Sequence, residues 1–258
     1  MPFVPHASFD GPEDDSTTIW RYVDLARFLD MVIHRQLTFV PAQKMADKYE
    51  GTLPPGGLLQ SMALIDPILR LNDFGAFLRE ELPKSLPSEY ARLARAGTYL
   101  SCWHMNSGES GAMWAIYGAQ GMAIESTVAH LKAALDAEQS REIHLGVVRY
   151  GDPSDPEVFR DLRRDYSLHK RQLYEYEHEL RAAILTGQDP AMDDPPPVIK
   201  VDIHLPELIK RVWIGPKQPG WFETMVNDLL RDYQLPDIPV VRSTMDDDPL
   251  LARSIQTS

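Results

Sequence analysis

The stretch YEYEHELRAAIL, residues 174–185, decides how the second half of this chain folds. Its apolar residues fit the spacing of a helix. As a strand, the same stretch would put Glu177, Glu179 and Arg181 on one face, because successive side chains of a strand point to opposite sides. The sequence leaves both interpretations open. Only the strand would hold the two carboxylates side by side.

Short β-branched and aromatic runs on either side of this stretch predict further strands. They lie at residues 18–23, 37–40, 98–103, 122–124, 144–150, 198–203, 212–215 and 239–243. Apolar residues at helical spacing predict helices at 24–35, 59–71 and 221–233, with Asp24 capping the first, and a charged helix at 156–172. A strand–helix–strand unit therefore opens the fold.

Composition divides the chain into an arm, a domain and a tail. Residues 1–16 contain three prolines and an acidic run without apolar periodicity, which indicates a flexible N-terminal arm. Residues 17–245 are expected to form a single domain with a helical insertion at about 54–96, and residues 246–258 an acidic tail. The proline-rich segment 187–197 is the clearest loop.

The balance of charge argues against several classes of partner. The 258 residues include 26 Lys and Arg against 38 Asp and Glu, which gives a formal net charge of −12. Such a surface repels phosphate backbones and anionic lipids, so we expect neither nucleic acid nor membrane as a partner. The N-terminus lacks a signal-peptide pattern, and no segment approaches the roughly 20 apolar residues of a membrane span. We therefore expect a cytoplasmic protein.

The motif content excludes several common sites. One cysteine, Cys102, allows no internal disulfide and no zinc site that needs two thiolates. The sequence lacks a Gly-x-Gly-x-x-Gly after a strand, a P-loop and a Gly-x-Ser-x-Gly elbow. Its eight histidines form no metal-binding pair, so we expect no metal. On a strand, Cys102 is more simply a small buried side chain than a nucleophile.

Aromatic and hydroxyl side chains gather near the end of the strand at residues 98–103. Ser101 and Trp103 lie on this strand, and Trp114 and Tyr117 follow a turn rich in Gly, Ser and Asn. These rings could stack on a planar ligand, as the aromatic side chains of ligand pockets do. They could equally be core anchors at strand and helical spacing. The sequence leaves both roles open.

Two groups of charged residues are further candidates. Glu177 and Glu179, held close together, would raise one carboxyl pKa and suit acid–base chemistry. Alternatively, they belong to a solvated face that Arg181 or Lys170 neutralises. Arg21 lies between two aromatic residues, where its guanidinium would bind phosphate or carboxylate unless it is an ordinary surface arginine.

Several motifs, taken in order, resemble the bacterial family described as domain of unknown function 2971. The resemblance covers most of residues 17–245, apart from an apparent insertion at 54–93, and Tyr174 stands where members often have tryptophan. By themselves, the residues around Glu50 indicate only a helix end with a glycine stop. The motifs are Trp20-Arg21-Tyr22, Leu37-Thr38-Phe39, Asp47-x-x-Glu50-Gly51, Ser101-Cys102-Trp103, Met113-Trp114-x-x-Tyr117, and Lys170 followed by Tyr176-Glu177-x-Glu179-x-Arg181.

The order of these motifs in turn is similar to that of the ADP-ribosyltransferase fold. The resemblance implies an α+β protein with a split, mostly antiparallel sheet flanked by helices. It maps Arg21, Ser101 and Glu179 onto the three site positions of that fold, with Glu177 as the first acid of the pair. It also implies NAD as co-substrate and no metal. A carboxylate there stabilises the positive charge that develops on the ribose when nicotinamide leaves.

The same resemblance assigns roles to the candidate residues. Glu179 would stabilise the ribose, Glu177 would activate an acceptor or water, and Ser101 would orient Glu179 or the ribose. Arg21 would hold the pyrophosphate. The remaining aromatic residues would line the cofactor site, with either tryptophan stacking on nicotinamide; they are Tyr22, Trp103, Trp114 and Tyr117.

The sequence thus leads to one hypothesis of function and an alternative. We expect a cytoplasmic protein that binds NAD and transfers ADP-ribose or hydrolyses NAD, in defence or as a toxin. The alternative is a non-catalytic module that recognises a nucleotide or a protein, in which the carboxylates only balance charge. A magnesium-dependent nuclease using Asp47, Glu50, Glu177 and Glu179 is disfavoured by the net charge. The acceptor and the oligomeric state do not follow from the sequence.

Overall fold

The computed structural model describes residues 3–6, 9–45, 47, 49–50, 95, 97–118, 121–152, 154–155, 166–186 and 196–247. Several sequence predictions lie wholly or mostly outside the described residues. These are the helical insertion at about 54–96, the loop at 187–197, the acidic tail at 246–258 and the first part of the charged helix at 156–172.

The described residues form eleven strands, β1 to β11. Their bounds are Thr18–Asp24, Gln36–Pro41, Thr98–Met105, Gly121–Thr127, His144–Val147, Arg149–Gly151, His169–Arg171, Glu179–Leu185, Ile199–Asp202, Arg211–Ile214 and Val240–Arg242. Five α-helices accompany them: α1 Leu25–His34, α2 Gly111–Met113, α3 Val128–Ala134, α4 Leu205–Leu208 and α5 Gly220–Asp232. A π-helical turn covers Trp114–Gly118, and 3-10 turns cover Ala42–Lys44, Leu135–Ala137, Tyr166–Leu168, Gln172–Glu177 and Thr244–Asp246.

The chain divides into two compact units, each built from three separate stretches of sequence. The first unit comprises Met1–Glu13, Leu37–His104 and Leu135–Asp202, and the second comprises Asp14–Gln36, Met105–Ala134 and Ile203–Ser258. Each unit contains both strands and helical segments, and antiparallel strand pairs predominate in both. The α+β class with a mostly antiparallel, mixed sheet is therefore confirmed at this level.

In the first unit, β3 and β8 form the longest strand pair. They run antiparallel from Thr98 opposite Leu185 to His104 opposite Glu179. Strand β5 pairs with the other edge of β8, and β2 pairs with the other edge of β3. A small parallel ribbon joins β6 to β7. Strand β8 is buried on both faces, which explains its continuous run of apolar and small residues after Arg181.

The structure resolves the ambiguity of residues 174–185. Its first part belongs to the 3-10 turn Gln172–Glu177, and its second part is the strand β8, Glu179–Leu185. His178 joins the two in the left-handed conformation, with φ of 42°. The strand interpretation required Glu177 and Glu179 to share one face of a strand. They do not, because only Glu179 belongs to β8. The change of backbone direction at His178 decides where each carboxylate lies.

The second unit contains an antiparallel pair of β1 with β4, from Thr18 opposite Thr127 to Asp24 opposite Gly121. Strand β10 pairs antiparallel with β4, and β11 pairs parallel with β10. Helix α1 begins after Asp24, whose side chain accepts a hydrogen bond from the Arg27 amide, and ends at Arg35 in the left-handed conformation. The predictions of this helix, of its cap and of α5 are confirmed.

Two sequence predictions need correction. The charged helix at 156–172 is wrong for its described end, because His169–Arg171 form strand β7, which pairs with β6. The predicted strand at 144–150 divides into β5 and β6. Val148 lies between these two strands, and its amide donates a hydrogen bond to the carbonyl oxygen of Glu179.

Within the predicted N-terminal arm, Phe9 is buried in a cluster with Leu100, and the amide of Val4 donates a backbone hydrogen bond to the carbonyl oxygen of Ile143.

Candidate functional site

Five ionisable side chains of the first unit meet in its interior. Glu50 follows the turn after β2, Lys170 lies on β7, Glu177 ends a 3-10 turn, and Glu179 and Arg181 lie on β8. Their side chains are at most 7% exposed. We call these five residues the buried ion network. It joins Glu50 to residues 170–181, although Glu50 and Arg181 are 131 positions apart in the sequence.

Local structure explains how these side chains come to face one another. Residues 179 and 181 are two apart on β8, so Glu179 and Arg181 share one face of the sheet. The β3–β8 register puts Cys102 opposite Arg181 and His104 opposite Glu179, which adds these two side chains to the same face. The left-handed His178 then turns the chain, and Glu177 reaches Lys170 from the preceding 3-10 turn.

The network consists of two cations, each shared by more than one carboxylate. Lys170 Nζ lies 2.5 Å from Glu177 Oε2, 3.1 Å from Glu50 Oε1 and 3.5 Å from Glu179 Oε2. Arg181 Nη2 lies 2.6 Å from Glu50 Oε2 and 2.7 Å from Glu179 Oε2. Another nitrogen of the same guanidinium donates to the carbonyl oxygen of Ser167. Glu50 and Glu179 thus each bridge the two cations.

The electrostatics of the network differ from the sequence-based expectation. Burial by itself would raise the pKa of Glu179, but Arg181 and Lys170 outweigh it and lower this pKa to about 2. The neighbouring acid therefore does not raise the pKa of Glu179, because the two cations dominate. The pKa of Lys170 is raised because Glu179 and Glu50 attract its charge more strongly than burial disfavours it. Both groups are charged at neutral pH.

Three neutral groups surround the network. The Tyr150 hydroxyl accepts a hydrogen bond from the amide of Glu179 at 2.8 Å, and burial raises the pKa of this tyrosine. His104 Nδ1 donates to the carbonyl oxygen of Glu177 at 2.9 Å, and burial lowers the pKa of His104. Burial and the charge of Glu179 raise the pKa of the Cys102 thiol well above its usual range. Cys102 is therefore a protonated thiol beside a carboxylate, and its nucleophilicity is low.

A second ion pair lies next to the network. Arg171 Nε donates to Asp47 Oδ2 at 3.1 Å, and Arg171 Nη2 lies 3.0 Å from Asp47 Oδ1. The backbone amide of Tyr49 donates to the same carboxylate at 3.1 Å. Asp47 is buried, whereas the side chain of Arg171 is 33% exposed. Adjacent residues of β7 thus hold both ends of the segment from Asp47 to Glu50.

Ser101 and Trp103 do not join this site. In the β3–β8 register, Ser101 lies opposite Ala182 and Trp103 opposite Leu180. Their side chains therefore occupy the sheet face opposite Glu179, because side chains alternate along a strand. Trp103 is completely buried and belongs to the core. The register does not bring Ser101 into the predicted contact with Glu179, nor does it leave Trp103 open to a ligand.

The other predicted cofactor residues belong to the second unit. Tyr22 and Trp114 lie in its core with Trp20, and their rings meet edge to face at 4.9 Å between centroids. Burial raises the pKa of Tyr22 to about 12, and its hydroxyl accepts a hydrogen bond from the Ser110 amide. Trp114 Nε1 donates to Glu109 at 2.9 Å. The core interpretation agrees with the structure for Trp114, as it does for Trp103, and Tyr22 is buried beside Trp114.

Arg21 and Tyr117 lie nearer the surface of the second unit. Arg21 is half-buried on β1, opposite Ile124 of β4. Tyr117 lies on the π-helical turn and is 45% exposed. Of the five predicted cofactor-binding side chains, Tyr117 is the most exposed to solvent.

The structure gives four motif residues a role that the sequence did not predict. Asp47 and Glu50 were candidates only for a disfavoured magnesium-dependent nuclease, yet both are buried and ion-paired. Lys170 and Arg181 were expected to neutralise charges on a solvated face, yet they lie in the interior. A signal was present, because the acidic motif Asp47-x-x-Glu50 and the later basic residues have complementary charges. Among the described residues, no group of three or more His, Cys, Asp and Glu side chains is arranged to hold a metal ion.

Comparison with protein-family models, curated proteins and solved structures finds no match to this chain. The resemblance described from the motifs therefore stays a prediction. Within the part of the chain that the structure describes, no helix is long and apolar enough to cross a membrane.

Proposed function

We propose that this protein is a binding module for a small nucleotide of the NAD class, and that the buried ion network supports the binding site without acting as a catalyst. One observation carries the proposal: every carboxylate of the network is buried and paired with Lys170 or Arg181. This arrangement favours the alternative in which the acidic residues balance charge.

A catalytic role for Glu179 would require its carboxylate to touch the ribose. Glu179 Oε2 already accepts a hydrogen bond from Arg181, and its side chain is 3% exposed. A ribose hydroxyl would have to displace a buried cation. Breaking a buried ion pair costs about 3–5 kcal/mol, which a few hydroxyl contacts would barely offset. The network is therefore better suited to hold the surrounding segments in place.

The similarity of the motif order to the ADP-ribosyltransferase fold, which implies NAD as co-substrate, supports a nucleotide as the ligand. Six residues of these motifs have buried side chains and take part in ion pairs of the first unit: Asp47, Glu50, Lys170, Glu177, Glu179 and Arg181. The net charge of −12 disfavours long polyanions, so the ligand is expected to be a single small nucleotide.

Isothermal titration calorimetry with NAD and ADP-ribose tests the proposal directly. We expect saturable binding of at least one of them and no release of nicotinamide on long incubation. Glucose 6-phosphate, which carries a phosphate but no base, is the control ligand. Absence of binding of either nucleotide at millimolar concentration would refute nucleotide recognition.

A second candidate function, NAD hydrolysis or ADP-ribosyl transfer, is favoured by the low pKa of Glu179. An ionised carboxylate is the form that stabilises positive charge on ribose. In this reaction nicotinamide leaves with the electrons of its bond to ribose, a water or acceptor oxygen bonds to the same carbon, and the proton of that oxygen passes to a base. Nicotinamide release that Glu179→Gln abolishes, and the exposed control Glu142→Gln retains, would establish catalysis.

A further inference from the structure

Two tyrosine rings and one arginine form a surface feature next to the buried ion network. The Arg171 guanidinium lies 4.9 Å from the centroid of the Tyr49 ring and 5.6 Å from that of Tyr174. Tyr49 is 45% exposed, and Tyr174 is partly exposed. We call these three residues the tyrosine–arginine rim.

The guanidinium of the rim has a defined orientation. Asp47 engages Arg171 through Nε and Nη2, and this two-point contact fixes the plane of the group. A guanidinium carries five N–H donors, so the pair with Asp47 does not exhaust its capacity. One third of the side chain remains exposed to solvent. An arginine held in this way is preorganised to bind a phosphate, because little side-chain entropy remains to be lost.

Both rings of the rim are connected to the buried ion network. Lys170 Nζ lies 4.8 Å from the centroid of the Tyr174 ring, so this ring contacts a cation of the network as well as Arg171. Glu50, the next residue after Tyr49, is anchored by Arg181 at 2.6 Å. The backbone of Tyr49 is therefore held in place by Glu50, its buried neighbour in the sequence. Its ring offers apolar area at the surface, which suits stacking against a planar base.

We propose that the tyrosine–arginine rim is the nucleotide-binding site, with the base stacked on Tyr49 and a phosphate bound by Arg171. This inference rests on the proposed function and deepens it by naming the binding residues. The ligand class follows from the pairing of groups, since a planar ring and an anion must be present in the same molecule. Tyr174, whose ring centroid lies 5.6 Å from the Arg171 guanidinium, positions Arg171.

Calorimetric titration of NAD into three single variants tests the site. Tyr49→Leu removes the ring but keeps an apolar side chain, and we expect it to weaken binding roughly tenfold or more. Arg171→Lys keeps the positive charge but loses the planar group that donates two parallel hydrogen bonds, and we expect the affinity for NAD to fall about tenfold. Trp221→Leu is the control, because Trp221 is an exposed aromatic residue of the second unit and was not among the predicted cofactor residues. We expect it to bind as the unaltered protein does.

The outcomes separate this inference from the proposed function. If the unaltered protein binds NAD and the two rim variants bind it equally well, the assignment of the binding site to the rim is wrong, and the proposal of nucleotide recognition stands. If the unaltered protein binds no nucleotide, both proposals fall. Should either variant lose its fold, NMR of the unaltered protein titrated with NAD gives an independent answer. Perturbation of the Arg171 Nε–H and the Tyr49 amide supports the rim, and perturbation confined to the second unit overturns it.

Discussion

Glu50 and Arg181 lie 131 residues apart in the sequence and form a 2.6 Å ion pair in the interior of the first unit. The pair connects the segment after β2 to the buried strand β8. Because each partner also contacts another charge of the network, the two segments are held by a set of interlocked ion pairs. This arrangement makes several predictions about stability and reactivity.

Removal of Arg181 is expected to destabilise the protein strongly. Arg181→Met leaves Glu50 and Glu179 buried without one of their cations, which costs about 3–5 kcal/mol of unfolding free energy. Arg231→Met breaks an exposed pair with Asp228 and serves as control, with an expected cost of less than about 1 kcal/mol. Urea denaturation followed by circular dichroism measures both. Equal stability of the two variants would contradict a structural role for the network.

The stability of the protein is expected to fall in acid because of Glu179. Its pKa is about 2 in the folded state and 4.5 ordinarily, so the unfolded state takes up the proton first as pH falls. The stabilisation is fully present above pH 4.5 and is lost as pH falls towards 2. The shift corresponds to roughly 3 kcal/mol. Unfolding free energies measured between these pH values should decline less for Glu179→Gln than for the unaltered protein.

Cys102 is expected to react slowly with alkylating reagents. Its raised pKa keeps the thiolate fraction small near neutral pH. Modification by iodoacetamide at mildly alkaline pH should be at least about tenfold slower in the folded protein than in denaturant, where the thiol has its ordinary reactivity. Mass spectrometry at timed intervals measures the rates. Rapid modification of the folded chain would indicate an activated cysteine and would reopen the question of a nucleophile.

The aromatic residues of the second unit are expected to divide into core and surface residues. Trp114→Ala removes a buried ring and should cost about 3–5 kcal/mol. Tyr117→Ala removes an exposed ring and should change stability by less than about 0.5 kcal/mol. Thermal unfolding followed by fluorescence compares them. A small effect at Trp114 would argue against its place in the core.

Local elements of this fold are well predicted from the sequence. Helix α1 and its cap at Asp24, the strands β3 and β4, and helix α5 all follow from apolar spacing and capping preferences over short distances. The boundary at His178 was not predicted. A left-handed residue between a 3-10 turn and a strand leaves no mark in the apolar pattern, and both periods fit the stretch equally well.

The candidate site was predicted only in part. Glu177 and Glu179 were singled out from their spacing, and they do share a cation. The resemblance assigned Ser101 and Trp103 to the same site, yet the pairing of β3 with β8 puts them on the other face of the sheet. A shift of one residue in that register would have reversed this outcome, and the register depends on contacts along the whole strand.

By itself, the sequence determined that helices and strands are both present, where several of them lie, and the surplus of negative charge, because each depends on composition or on residues a few positions apart. Only the tertiary structure decided that Glu50 pairs with Arg181 and Asp47 with Arg171. Charge complementarity allows many such pairings, and burial selects among them. Burying Arg181 with the carboxylate of Glu50 at 2.6 Å is tolerated only because the fold also places Glu179, its second carboxylate partner, beside it.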